Sequence, residues 1–214
     1  HAGTYAEPLR PQTSGSDGAP ITFAAAPGET VVLDGTGLDL GEFTGLVLVE
    51  DRSDIVIEGL RVEHAHSSDT TAGIFVHRAS RVVVRGNRTE DSESSGIGVW
   101  RSEQVTVEGN EVVLACNDGS QECLTIAQTD GFLVRGNHVH DGGPGSHGGE
   151  GIDAKDGATN GRVVGNHVHH INRLGIYVDS WDKPTHDIEV AGSITLAAWL
   201  YGDGRVGVQV AVYD

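Results

Sequence analysis

Glu150, Asp153, Lys155 and Asp156 fall within seven positions of one another, inside a glycine-rich stretch that runs from Gly142 to Gly157. Carboxylates and an amine at that spacing are the groups that move protons near neutral pH, and carboxylate oxygens also hold hard cations. Tyr177, Asp179 and Trp181 follow in the next stretch of chain, and Trp100 and His77 precede it. Brought onto one surface, these residues would offer aromatic faces to sugar rings and charges to a reacting carbon. The elements between them decide whether they share a surface.

Those elements repeat. Gly73-Ile74-Phe75-Val76, Gly96-Ile97-Gly98-Val99, Cys123-Leu124-Thr125-Ile126, Gly151-Ile152-Asp153-Ala154, Gly175-Ile176-Tyr177-Val178 and Gly207-Val208-Gln209-Val210 are variants of one phrase, starting 23, 27, 28, 24 and 32 residues apart. A second phrase shares the period: Val84-Arg85-Gly86-Asn87, Val107-Glu108-Gly109-Asn110, Val134-Arg135-Gly136-Asn137 and Val164-Gly165-Asn166. Short β-branched strands joined by Gly-Asn turns, with no helical periodicity, read as a β-solenoid. Leucine is too sparse for a leucine-rich repeat. The expected fold is all-β, a right-handed parallel β-helix of about six to seven coils. It is read as one domain spanning residues 1–214, with an entry segment (1–45), regular coils (46–192) and an irregular C-terminal coil or cap (193–214).

Alternation along a strand then assigns sides. The second and fourth residues of the first phrase are apolar throughout and point inward. The third and fifth are expected to face water, as two ladders: Phe75, Gly98, Thr125, Asp153, Tyr177 and Gln209, and His77, Trp100, Ala127, Lys155, Asp179 and Ala211. Neighbouring coils stack about 4.8 Å apart, so Asp153, Lys155, Tyr177 and Asp179 should form a compact patch.

Composition narrows the partners. The net charge of −17, with only two lysines, argues against nucleic acid and against an anionic membrane surface. No stretch approaches the ~20 apolar residues of a membrane span. A polyanionic substrate would need local cations or a bound metal to reverse the field. Cys116 and Cys123 flank a short polar loop and are expected to form a disulfide, which favours an oxidising compartment. The other reading makes Cys123 a small buried residue in place of the phrase's glycine. The chain opens at His1 without a leader and is expected to be an already processed form, secreted or periplasmic. The exposed solenoid ends allow a monomer or a weak homo-oligomer.

Gly-Glu-Gly-Ile-Asp-Ala-Lys-Asp-Gly at Gly149 to Gly157, with Val164-Gly165-Asn166-His167-Val168-His169-His170, resembles the right-handed parallel β-helix carbohydrate-active proteins, in particular the superfamily of chondroitinase B and family 6 alginate lyases and, more distantly, family 9 pectate lyases. The opening Ala2-Gly3-Thr4-Tyr5, with Val32-Leu33-Asp34-Gly35, is similar to their entry segment. The resemblance implies a polysaccharide lyase that cleaves a uronic-acid-containing polymer by calcium-assisted β-elimination. In those lyases a Glu five residues before a catalytic Lys helps hold calcium, the spacing of Glu150 and Lys155. Asp153 could add an oxygen ligand. An arginine on the following coil belongs to that pattern. Its ladder position here holds Asp179, while Arg173 lies on the turn before the strand. Asp153 or Asp179 beside Lys155 would also raise the lysine's pKa, the wrong direction for a base.

The expected catalytic set is therefore Lys155, Asp179 and Tyr177, with Trp100, His77, Arg173 and Trp181 on the substrate and Glu150 and Asp153 on Ca2+. Two other readings remain. Asp153 and Asp179 on adjacent coils could stand near the ~5 Å of a retaining glycosidase pair, or the wall could bind a glycan without turnover. His138, His140, His167 and His169 recur in successive Gly-Asn-His-Val-His turns and are read first as duplicated surface residues, with metal binding as the alternative.

Overall fold

The computed structural model describes residues 1–117, 120–143 and 148–196. Its elements are strands throughout, and all the pairings between them are parallel. Each coil contributes one strand to each of three sheets. The front sheet stacks Thr44–Glu50, Thr71–His77, Ile97–Trp100, Leu124–Ala127, Ile152–Lys155 and Ile176–Val178. A seven-stranded middle sheet runs from Ile21–Ala24 to His186–Ala191, and an eight-stranded third sheet from Gly3–Tyr5 to Ile194–Leu196. About seven turns of a β-solenoid result, as the repeats imply.

Register keeps the repeats aligned. Gly98 pairs with Phe75 and Thr125, Thr125 with Asp153, and Asp153 with Tyr177. Every second residue therefore lines the tube. Ile74, Ile97, Leu124 and Ile152 of the front sheet meet Val82, Val107 and Val134 of the middle sheet and Val62, Val112 and Val139 of the third, all fully buried. Each such side chain contributes roughly 1.5–3 kcal/mol when taken from water. Val178 departs from the expected inward ladder and is half exposed. The phrase at Gly207, with Gln209 and Ala211, lies outside the described residues.

The corner between the middle and third sheets explains the Gly-Asn phrase. Gly86, Gly109, Gly136 and Gly165 take φ near 60°, where a side chain is disfavoured. Each following asparagine turns into the tube and makes the same bonds. The Asn137 Oδ1 accepts the Asn110 backbone N–H at 3.0 Å, and its Nδ2 donates to the Val107 carbonyl and to the Asn166 Oδ1, each at 3.0 Å. Asn87, Asn110, Asn137 and Asn166 form a buried ladder that satisfies the corner's backbone, and Ser193 Oγ takes the last place by accepting the Asn166 N–H.

The regular ladder is longer than the expected 46–192. Strands at Gly3–Tyr5, Ile21–Ala24 and Val31–Asp34 already join their sheets within the entry segment, and Ile194–Leu196 still pairs in register with the strand His167–Ile171.

Candidate active site

The front wall is roofed where alternation alone predicts exposure. Phe75, His77, Gly98, Thr125, Ala127 and Asp153 point away from the tube yet are buried. Phe43 packs edge-on against Phe75, His77 and Trp100, with ring centroids 5.1–5.4 Å apart. His77 is thus sealed beneath Phe43 and paired with Glu50 at 3.0 Å, out of a polymer's reach, while Trp100 keeps a partly open edge. Farther along, the loops leading into the front strands fold back over them. Ser95 and Thr125 share a hydrogen bond at 2.8 Å, and Thr125 Oγ1 donates to Glu122 Oε2 at 2.9 Å.

Glu122 is the residue that the reading of the sequence passes over. Its Oε1 accepts from Lys155 Nζ at 2.7 Å in a pair that is nearly buried on both sides. Glu122 immediately precedes Cys123-Leu124-Thr125 as Glu150 precedes Gly151-Ile152-Asp153, and the strands after them are in register. Aligning the repeats one residue further upstream exposes this acid pair. The structure thus gathers Glu122, Glu150, Asp153 and Lys155 from two coils, with Tyr177 and Asp179 from the next.

Crowding sets their protonation. The Asp153 carboxyl is 1% exposed and is pushed up to about 9, first by burial and then by the charge of Glu122; its Oδ1 has no hydrogen-bond partner. Burial also raises Glu150, against the opposing pull of Arg173, whose Nη1 lies 3.5 Å from Glu150 Oε1. Burial by itself would lower Lys155, but Glu122 beside it, with Asp153 and Asp179, turns the net shift upward. Lys155 is therefore held as an ammonium at neutral pH, a direction that works against a base. Its Nζ stands 5.7 Å from the centre of the Trp100 ring.

The wall opens at its last described coil. Tyr177 is 38% exposed and Trp181 88%, with Asp179 half buried between them. Burial raises both the Tyr177 phenol, helped by Asp179, and the Asp179 carboxyl, helped by Asp156. Along the adjoining corner runs a groove of about 570 Å³ lined by Arg78, Arg101 and Lys183 together with Glu103 and Asp130. Three of the chain's 14 basic residues lie there, of which Arg78 is already paired with Glu50 and Asp51.

Calcium does not fit the donor set at Glu150 and Asp153. The ion takes six to eight oxygens, yet among the described residues no third carboxylate or imidazole joins these two within 4.8 Å. Arg173 approaches one and the charge of Lys155 acts on the other. A proton on Asp153 removes that residue's own charge without an ion.

Cys116 and Cys123 face each other in the core as thiols with sulfurs 3.0 Å apart, rather than as the expected disulfide. Cys123 takes the phrase's glycine position as a small buried residue, and burial raises the Cys116 thiol well above its ordinary value.

The family described as "Right handed beta helix region" matches residues 42–193. Among curated proteins, the uncharacterized protein YwoF of Bacillus subtilis (strain 168) is 32% identical over 152 residues, 64% of this chain and 32% of that protein, so the chain spans about a third of that relative's length. Similar solved structures are pectate lyase Pel9A (TM-score 0.55, 14% identity, 92% of this chain and 67% of that one) and an alginate lyase from Paenibacillus sp. str. FPU-7 (0.53, 15%, 91% and 88%). The periplasmic alginate epimerase AlgG is another (0.51, 10%, 83% and 43%). At these identities the likeness is one of fold.

Proposed function

The chain belongs to the right-handed β-helix family, and from that premise we propose that it cleaves a uronic-acid-containing polysaccharide by β-elimination. One observation carries the reading: acids and a lysine from three successive coils converge on the front wall, with one carboxyl kept neutral, beside the coil where Tyr177 and Trp181 are exposed. The solved relatives named as lyases and an epimerase of uronate polymers support the same substrate class.

The chemistry follows from charge. A uronate's C5 proton becomes removable when its carboxylate is neutralised. Lys155 supplies a fixed positive charge, and Asp153, held neutral, withdraws a negative charge that would repel the substrate. Asp179, its basicity raised, takes the C5 proton. The released electron pair forms the C4–C5 double bond, the C4–O4 bond breaks, and the Tyr177 hydroxyl protonates O4. Asp179 then returns its proton to the phenolate. Trp181 offers a face for a neighbouring sugar ring, and Arg101 and Lys183 in the corner groove offer cations to a polyanion.

A second reading has its own support. A neutral Asp153 near a less strongly shifted Asp179 is the arrangement of a general acid and its partner in a glycoside hydrolase. Incubation with alginate, pectate and glycosaminoglycans separates the two. Elimination leaves an ultraviolet-absorbing unsaturated end, whereas hydrolysis yields reducing ends without it. Tight binding with neither product would make the wall a recognition surface and end the catalytic reading.

A further inference from the structure

We propose that His138, His140 and His169 form a binding site for a zinc-class divalent transition metal on the outer face of the third sheet, apart from the front wall. The Gly-Asn-His-Val-His phrase recurs on adjacent coils, and register pairs His138 with His167 and His140 with His169. Alternation sends all four rings to the same side. The ligand nitrogens of His138, His140 and His169 come within 4.8 Å of one another, the sole such grouping among the described residues, and the three rings are partly exposed, so an ion can reach them.

The hydrogen bonds favour a cation. His138 Nε2 and His169 Nε2 face each other at 2.7 Å, so at most one can be the donor and the other presents a lone pair. His140 Nδ1 lies 2.7 Å from Asp141 Oδ2, which holds the ring proton on Nδ1 and leaves Nε2 as a lone pair. That Nε2 faces the neighbouring coil, 3.3 Å from Glu111 Oε1, an oxygen that also accepts from Arg88. Tetrahedral Zn–N bonds of about 2.0–2.1 Å separate ligand nitrogens by roughly 3.3 Å. The His138 and His169 rings therefore need to part by only about half an ångström.

Three imidazoles without a cage of oxygens select zinc, copper or nickel over calcium and magnesium. A fourth position stays open to water, since Glu111 Oε1 is already paired with Arg88. With two ligands on one coil and the third on the next, the ion would staple adjacent coils.

The test uses the whole chain without a histidine purification tag. Equilibrium dialysis against zinc chloride should load one zinc per chain, and cobalt should give the intense visible bands of a four-coordinate site. His138→Asn and His169→Asn should each weaken zinc by more than about tenfold and abolish the zinc-dependent rise in melting temperature. His186→Asn, on the middle sheet, should change neither. If a ligand variant does not fold, His140→Gln supplies the same comparison. No stoichiometric uptake, or zinc bound equally well by a folded His138→Asn/His169→Asn double variant, overturns the site. The uronate reading is unaffected by either result.

Discussion

Replacing Asp153 with asparagine should make this protein more stable at neutral and alkaline pH. In the unfolded chain the Asp153 carboxyl ionises near 3.8, whereas burial and Glu122 push it up to about 9 in the fold. Between those values the native state holds a proton that the unfolded state has released, so stability falls as pH rises. Below the lower value both states are protonated and the effect vanishes. Each pH unit in the window costs about 1.36 kcal/mol, so three units, from about pH 5 to about pH 8, remove about 4 kcal/mol. Asparagine keeps the shape and cannot ionise. Urea unfolding of both proteins at these two pH values isolates the effect, because contributions from every other group cancel in the comparison. The wild type should lose about 4 kcal/mol more than Asp153→Asn across the window. Equal pH slopes, or a variant less stable than the wild type at about pH 8, would refute the claim that the wall keeps a strained neutral acid.

Two structural predictions stand beside it. Asn137→Ala removes the acceptor for the Asn110 N–H and the donor for the Val107 carbonyl, leaving buried backbone groups unpaired; at about 1–3 kcal/mol for each such group, chemical denaturation should register a loss of roughly 2–6 kcal/mol. Mild oxidation should join Cys116 to Cys123, whose sulfurs already face each other, taking free thiols from two to none by colorimetric count; closing so short a loop should add roughly 2.5 kcal/mol, and a loss of stability on oxidation would contradict the placement.

Much of the fold was readable because a solenoid writes its geometry locally. Alternating aliphatics name the tube's lining, and Gly-Asn names a corner that requires positive φ and a buried amide. Register then brings Asp153 beside Tyr177 with no long-range information beyond the repeat. Exposure was not readable in the same way. Alternation tells which side of a strand a residue takes, not what lies over that side: the covering segment around Phe43 follows no repeat, and the acids Glu122 and Glu150 stand one residue upstream of the aligned phrase. For that reason His77 looked like a substrate contact and proved to be sealed, while Glu122, which fixes the charge of Lys155, was missed. The thiols show a related limit: the sequence offers both a bridge and a small buried Cys123, and nothing in loop length chooses between them.

The most direct measurement is the initial rate of unsaturated product formation on a polyuronate by the wild type and by Asp179→Asn. If Asp179 takes the C5 proton, the variant should bind the polymer with similar affinity and turn it over about 10²–10⁴-fold more slowly. An Asp179→Asn protein that forms the product at the wild-type rate would contradict the account.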